Sequence, residues 1–296
     1  MEIRVLKYFL TVVREESISR AAEVLHITQP TLSRQLAQME EETGVKLFQR
    51  GSRKITLTNE GMLLRRRAEE IVELVDRTVA ELPLQEKEVE GTITIGSGEV
   101  AAMEVLAKIC GSFRQKHPKV IFDLYTATAD VVKERMERGL IDIGLLLEPV
   151  DKEKFEYARL AVKERFVVLM KPDDLLAKKE YVTKEDLAHL PLILPRRLNV
   201  QGELANWFGK NPDSLNVAFT GNLTTNSAVM VQHGLAYAVV VEGGIPYCDK
   251  EQIVSRPLYP ELASGTVLAW KRGQPFGNAT EKFIEHIKCF LGIGKL

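Results

Sequence analysis

Apolar positions in the first eighty residues recur at helical spacing. Leu6, Phe9, Leu10 and Val13 form one face of a helix over Ile3 to Glu15. Ile18, Ala21, Ala22 and Leu25 form the face of a second, shorter helix, with Ser17 suited to its N-cap. His26-Ile27-Thr28 breaks the pattern and Gln29-Pro30-Thr31 restarts it, with Thr28 as the next N-cap. Pro30 is tolerated there because an amide in a first turn has no intrahelical partner to lose. Leu32, Leu36 and Met39 continue the third face, and Gly44 stands where a helix should stop. Leu47-Phe48 anchors the next segment, and Ile55 and Leu57 alternate with Thr56 and Thr58 as in a strand. Asn59 to Leu82 reads as one long helix, capped by Thr58. Its positions Leu64, Ala68, Ile71, Val75, Thr78 and Leu82 step by four and three alternately. That spacing predicts a coiled-coil seam made by Leu64, Ala68, Ile71, Val75 and Leu82, hence a dimer.

After Gly91 the period changes. Strands are predicted at Thr92–Gly96, Val120–Thr126 and Ile141–Leu147, with helices at Val105–Gln115 and Asp130–Gly139 between them. This βαβαβ order predicts a parallel sheet with right-handed crossovers. Arg165–Met170 opens a second such unit, followed by strands at Leu192–Leu194, Val217–Thr220, Tyr237–Val241 and Val267–Trp270. Helices fall near Leu204–Gly209, Asn226–His233 and Ala279–Leu291. The chain should cross between two α/β lobes near Ala161 and return near Thr266. The expected domains are 1–58, a linker and dimerisation helix with hinge over 59–90, and 91–296. The last divides into one lobe of 91–161 with 267–296 and another of 162–266.

Two short helices joined by a tight turn, the second opening with Gln, Thr, Ser and Arg, make a helix-turn-helix. Lys46, Arg50, Arg53 and Lys54 occur with no acid between 46 and 54. Beside a helix-turn-helix this basic turn reads as a wing that touches phosphates. Gln29, Pro30, Thr31, Ser33 and Arg34 are the candidates for reading bases. The stretch SISRAAEVLHITQPTLSRQLAQMEEETGVKLFQR, followed by ITLTNEG, resembles the N-terminal domain of the LysR-type transcriptional regulators. The order downstream is similar as well. The resemblance implies an N-terminal winged helix-turn-helix, mainly α, and a long linker helix. It further implies a C-terminal two-lobed α/β effector domain like a type II periplasmic binding protein. DNA contacts are then expected from Ser17, Ser19, Arg20, Thr28, Gln29, Pro30, Thr31, Ser33, Arg34, Gln35, Arg50, Arg53 and Lys54. The partners it implies are double-stranded DNA with a dyad site, a small-molecule effector, a second copy of the chain with dimers pairing into tetramers, and RNA polymerase.

In open α/β sheets small molecules bind beyond the carboxyl ends of strands. Ser97, Gly98 and Glu99 end the first strand of this region. Thr126, Ala127 and Thr128 end the second, and Leu147-Glu148 ends the third. Arg196, Gln201 and Gly202 would face them from the second lobe. The hydroxyls and backbone N–H groups suit a polar ligand. The acids Glu99 and Glu148 argue against a simple dianion.

Composition narrows the alternatives. A net charge of −1 with 27% charged residues suits one small DNA-reading module but not a protein that coats nucleic acid throughout. Cys110, Cys248 and Cys289 are far apart and read as buried thiols in a reducing compartment. No basic-then-apolar leader and no long apolar run is visible, so the cytoplasm is expected and no membrane partner. His26, His117, His189, His233 and His286 are scattered, no phosphate-cradling loop occurs, and Gly96-Ser97-Gly98 lacks a third glycine. Asp142 precedes a buried strand and reads as a cap or turn residue. No enzyme, metal or cofactor is expected. A ligand receptor of the transport type would need a secretory leader, and a DNA recombinase would need a nucleophile or an acidic metal cluster.

Overall fold

A computed structural model describes residues 1–50, 55–81, 89–196, 198–209, 215–249 and 251–293. Among these, the side chains of Arg50, Arg77, Ala80, Glu81, 198–202 and Tyr247 are not described. The chain forms two compact units, Met1–Pro83 and Leu84–Leu296.

In the first unit, helices α1 (Ile3–Glu15), α2 (Ile18–Val24) and α3 (Gln29–Thr43) precede a two-stranded ribbon, β1 (Phe48–Arg50) and β2 (Ile55–Leu57). Helix α4 (Asn59–Glu81) follows. Ser17 caps α2, its hydroxyl accepting from the Arg20 N–H. The turn into α3 places His26 at φ 54°, a left-handed residue that reverses the chain. Gly44 closes α3 at φ 71°, where a side chain would be strained. The ribbon is antiparallel, pairing Phe48 with Leu57 and Arg50 with Ile55. Val5, Leu6, Phe9 and Val12 of α1 are buried with Ala21, Ala22, Leu32, Leu36, Met39 and Leu47. Leu10 and Val13, expected at the centre of that face, are only half-buried. The reason is that α1 packs against α4 as well as α2 and α3, so its inner face is wider than one stripe.

The second unit is built on a nine-stranded sheet. Its strands and helices are β3 (Gly91–Ser97), α5 (Met103–Lys116), β4 (Val120–Thr126), α6 (Ala129–Glu137), β5 (Ile143–Leu147), β6 (Phe155–Met170), α7 (Lys184–Leu187), β7 (Leu192–Pro195), α8 (Leu198–Phe208), β8 (Val217–Gly221), α9 (Thr224–Gln232), β9 (Tyr237–Val241), β10 (Val254–Pro257), β11 (Ala263–Lys271) and α10 (Asn278–Phe290). The sheet order is β4-β3-β5-β11-β6-β9-β7-β8, with β10 also on β6. The expected parallel pairings hold for β4-β3-β5 and for β9-β7-β8. The centre differs from expectation. β6 begins at Phe155 rather than Arg165 and is antiparallel to β11, β9 and β10. Both long strands run through the two lobes, so the lobes share one sheet. The crossover is a bulge at Gly265/Thr266, close to the expected return point. Each lobe buries apolar clusters on both faces of its strands; Phe113 and Phe283 meet edge-on in the first.

Candidate functional site

The first unit offers the N-terminal half of α3 to solvent. Thr28, Gln29, Pro30, Thr31 and Arg34 are exposed, as are Ser19 and Arg20 on α2; Ser17, Ser33 and Gln35 are half-buried. Thr28 occupies the N-cap in extended conformation without a side-chain cap bond; its hydroxyl instead pairs with that of Thr31 at 2.8 Å. Arg53, Lys54 and the Arg50 side chain lie outside the described residues.

The ribbon is fixed to α3 by a residue the sequence argument passed over. One Glu40 carboxylate oxygen accepts from the backbone N–H groups of Leu47 (2.8 Å) and Phe48 (3.3 Å), and the other from Lys46 Nζ (2.7 Å). Burial pushes the Glu40 pKa up, but the Lys46 bond and the two amides together outweigh it and hold it below the ordinary range. An acid near the end of a recognition helix, six residues before a lysine, was the available signal.

Of the residues expected to form a seam on α4, some are taken up inside the unit and Ile71 is left exposed. Ala68 is fully buried within its own unit, and Leu64 and Val72 pack on the same core, with Lys7 of α1 paired to Asp76 of α4 at 2.6 Å. The apolar side chains of α4 left to solvent are Met62, Leu63, Ile71, Leu74 and Val79; Leu63, Ile71 and Leu74 form a stripe to one side of the expected one. Val75 is half-buried, and Leu82 lies outside the described residues.

In the second unit a half-open cleft lies between the lobes, with a cavity of about 120 Å³. Gly98, Glu99, Ala127, Thr128, Leu147 and Arg196 line it as expected. Ser97 does not: it is buried beneath the wall and donates to the Gly98 carbonyl at 2.7 Å. Thr126 and Glu148 also miss the wall. Thr126 is exposed and is not among the lining residues, and Glu148 pairs with Arg159 at 2.9 Å. Gln201 and Gly202 fall in α8, and their burial lies outside what is described. The missed lining is mainly apolar, from Phe166, Ile193 and Val239 to Val241, with Asn222, Thr224 and Ser227 as polar points.

Three helix starts surround this cleft and are served differently. At α5, Glu164 of β6 accepts from the Ala102 N–H at 3.2 Å. Only 1% of Glu164 is exposed, and burial, opposed by the amides of Ala102, Ala101 and Gly243, pushes its pKa up. Gly243 lies so close to Ala101 that a Cβ there would meet its nitrogen at 2.0 Å, so only glycine fits. At α9, Glu99 reaches across from the other lobe, accepting from Thr225 N–H (3.1 Å) and Thr225 Oγ1 (2.8 Å). At α6, Thr128 is the N-cap and makes no cap bond of its own.

The remaining candidates are structural. The Asp142 carboxylate accepts from the Thr94 N–H of β3 at 2.8 Å, a buried bond across to a neighbouring strand rather than the cap or turn role expected of it. Burial pushes the Cys110 thiol up to about 12, whereas Cys289 is exposed, against expectation, because it lies on the outer side of α10. His117 and His286 are brought together on the Phe113 ring, and His286 meets Ser112 at 2.7 Å. Among the described residues no cluster of His, Cys, Asp and Glu is arranged to hold a metal. No helix among them is long and apolar enough to cross a membrane.

A winged helix-turn-helix followed by a two-lobed ligand cleft defines a one-chain regulator that joins DNA reading to small-molecule sensing. Residues 3–62 match the family described as bacterial regulatory helix-turn-helix protein, lysR family, and residues 86–291 match the LysR substrate binding domain. The chain belongs to the LysR family: it is a DNA-binding transcriptional regulator with an effector-binding domain, not an enzyme. It is 31% identical over 297 residues to the HTH-type transcriptional regulator YvbU of Bacillus subtilis, covering 99% of both chains. It is 29% identical to the Hca operon transcriptional activator HcaR of Escherichia coli, covering 93% of each. The fold matches that of CbnR complexed with its target DNA, with a TM-score of 0.73 and 21% identity over 98% of this chain and 99% of that one.

Proposed function

We propose that this regulator binds a dyad site in double-stranded DNA as a homodimer, with dimers pairing further, in the cytoplasm. We propose also that a small, mainly apolar effector held between the lobes modulates it. The observation that carries this reading is the joint exposure of Gln29, Pro30, Thr31 and Arg34 on α3, in a chain that also holds a deep cleft walled by valine, leucine and phenylalanine. Pairing of copies is supported by apolar side chains left uncovered: Leu63, Ile71 and Leu74 on α4, Ile121 and Leu124 on the β4 edge, and Val217 and Phe219 on the β8 edge. Isolated surface leucines need no explanation, but clusters on a helix and on both edges of one sheet suit contacts with a second copy. An effector acts only as far as it binds one state of the dimer better than another.

The test is titration of the full chain against DNA fragments, with competitor DNA and varied salt. The expected result is selective binding to a fragment with two half-sites, without cleavage, and with affinity falling steeply as salt rises. Equal affinity for every fragment at every salt concentration overturns the reading. A metabolite screen by thermal shift then identifies the effector, because a ligand that binds only the folded state raises its apparent stability.

A further inference from the structure

The polar side of the cleft is asymmetric, and one of its own carboxylates makes it so. Helix α9 has no acid in its first turn, and its N-cap, Leu223, supplies no side-chain bond. The first amides of any helix lack intrahelical partners and carry the positive end of its dipole, so they attract an anion. Here the anion is Glu99, which arrives from the opposite lobe and takes both the Thr225 N–H and the Thr225 hydroxyl. Glu99 also lines the cleft together with Asn222, Leu223 and Thr224. The carboxylate therefore ties the lobes together and fills the place at α9 that a ligand's anion would otherwise take. A second anion brought beside it meets like charge at close range. On the facing wall, Thr128 leads into α6 without a cap bond and with Asp130 in that helix's first turn, while Arg196 lies exposed on the lobe that carries α9.

We propose that Glu99 is the residue that sets the ligand class of this cleft. It acts as the chain's own anion at α9, so that the effector is a mainly apolar molecule with no more than one anionic group, held at the Thr128 wall. The proposal rests on the reading of this cleft as the effector site.

Acetate is the probe, since it carries the carboxylate that Glu99→Ala removes. The full-length wild type, Glu99→Ala and Glu99→Gln are melted across an acetate series with chloride making up constant ionic strength. Glu99→Ala is expected to melt roughly 2–6 °C below wild type, and acetate is expected to restore part of that loss saturably, with no matching response in wild type. An equal response in wild type shows that the α9 place is open and overturns the proposal. No response in Glu99→Ala beyond chloride overturns it as well. Glu99→Gln keeps the size of the side chain and one acceptor, so it decides the matter if the alanine variant misfolds. Amide hydrogen exchange at Thr225 should then quicken severalfold, and unchanged exchange overturns the proposal. A dianion found to bind this cleft in wild type refutes the ligand class directly. Acetate reads only the second unit, so this test can fail while selective DNA binding stands, and the reverse.

Discussion

Gln29 and Glu40 lie at opposite ends of α3 and do different work. Gln29 is exposed in the first turn, where its amide can meet an adenine edge in the major groove. Gln29→Ala should cost on the order of 1–3 kcal/mol on the proper site and much less on unrelated DNA. Equal losses on both, in competition titrations, would place the residue on the backbone instead. Glu40 holds the ribbon, through two amides and Lys46. Glu40→Gln should lower stability by about 1–2 kcal/mol, since charge-assisted bonds become neutral ones. The sign with pH follows from its depressed pKa. The stabilisation is present above the unfolded carboxylate value of about 4.3 and is lost as pH falls through the lower folded value. Melting curves of the two proteins should therefore converge in acid, and a constant gap would show that the charge is immaterial.

At the scale of elements, α4 has two apolar faces, and only one belongs to its own unit. Leu64, Ala68 and Val72 are taken up by the core beside α1, while Ile71 and Leu74 remain 39% and 42% exposed. Ile71→Asp puts a charge on the free face, where pairing would desolvate it. Sedimentation should show dimerisation weakened by about tenfold or more, with the melting of the monomer nearly unchanged. An undiminished dimer would assign pairing to the β4 and β8 edges alone. The helix itself was legible in the sequence, because Thr58, Leu64, Ala68 and Ile71 carry both the cap and the period; Thr58 does accept from the Gly61 N–H at 2.9 Å. Which side of the helix was free was not legible, because an intramolecular and an intermolecular seam have the same spacing. The short strands were likewise readable from their apolar residues, and the edge strand β4 and the buried β9 fall where expected. The first half of β6 was not. Phe155 to Glu164 mixes Glu, Arg and Lys with its apolar residues, since one face of that stretch is exposed. The cleft was half legible for a related reason. Strand ends locate a crevice wall, but the wall is built by the turn that follows: Thr126 ends β4, whereas Thr128, the N-cap of α6, lines the cleft.

The second unit as a whole is two lobes on one sheet, joined by β6 and β11, and a buried acid stands at the crossing. Glu164 stands on β6 where that strand passes between lobes, touching the start of α5 on one side and the Gly243 amide on the other. Next to it, Arg165 holds Glu242 through two bonds of 2.8 and 2.9 Å at the surface. The neighbours thus place one paired and one nearly isolated carboxylate at the same crossing. Burial raises the Glu164 pKa above its unfolded value, so the folded state holds its proton more tightly than the unfolded chain does. Stability from this group is therefore fully present below the unfolded pKa and is lost as pH rises through the folded one, the reverse of Glu40. Glu164→Gln cannot titrate. The melting temperature of wild type relative to this variant should rise as pH falls from neutral toward the unfolded carboxylate value, and should level off below it. A difference that is flat with pH would mean that the Ala102, Ala101 and Gly243 amides compensate the carboxylate fully. A difference of opposite slope would mean that they hold it charged, so that the crossing is tied by an anion rather than merely filled by an acid.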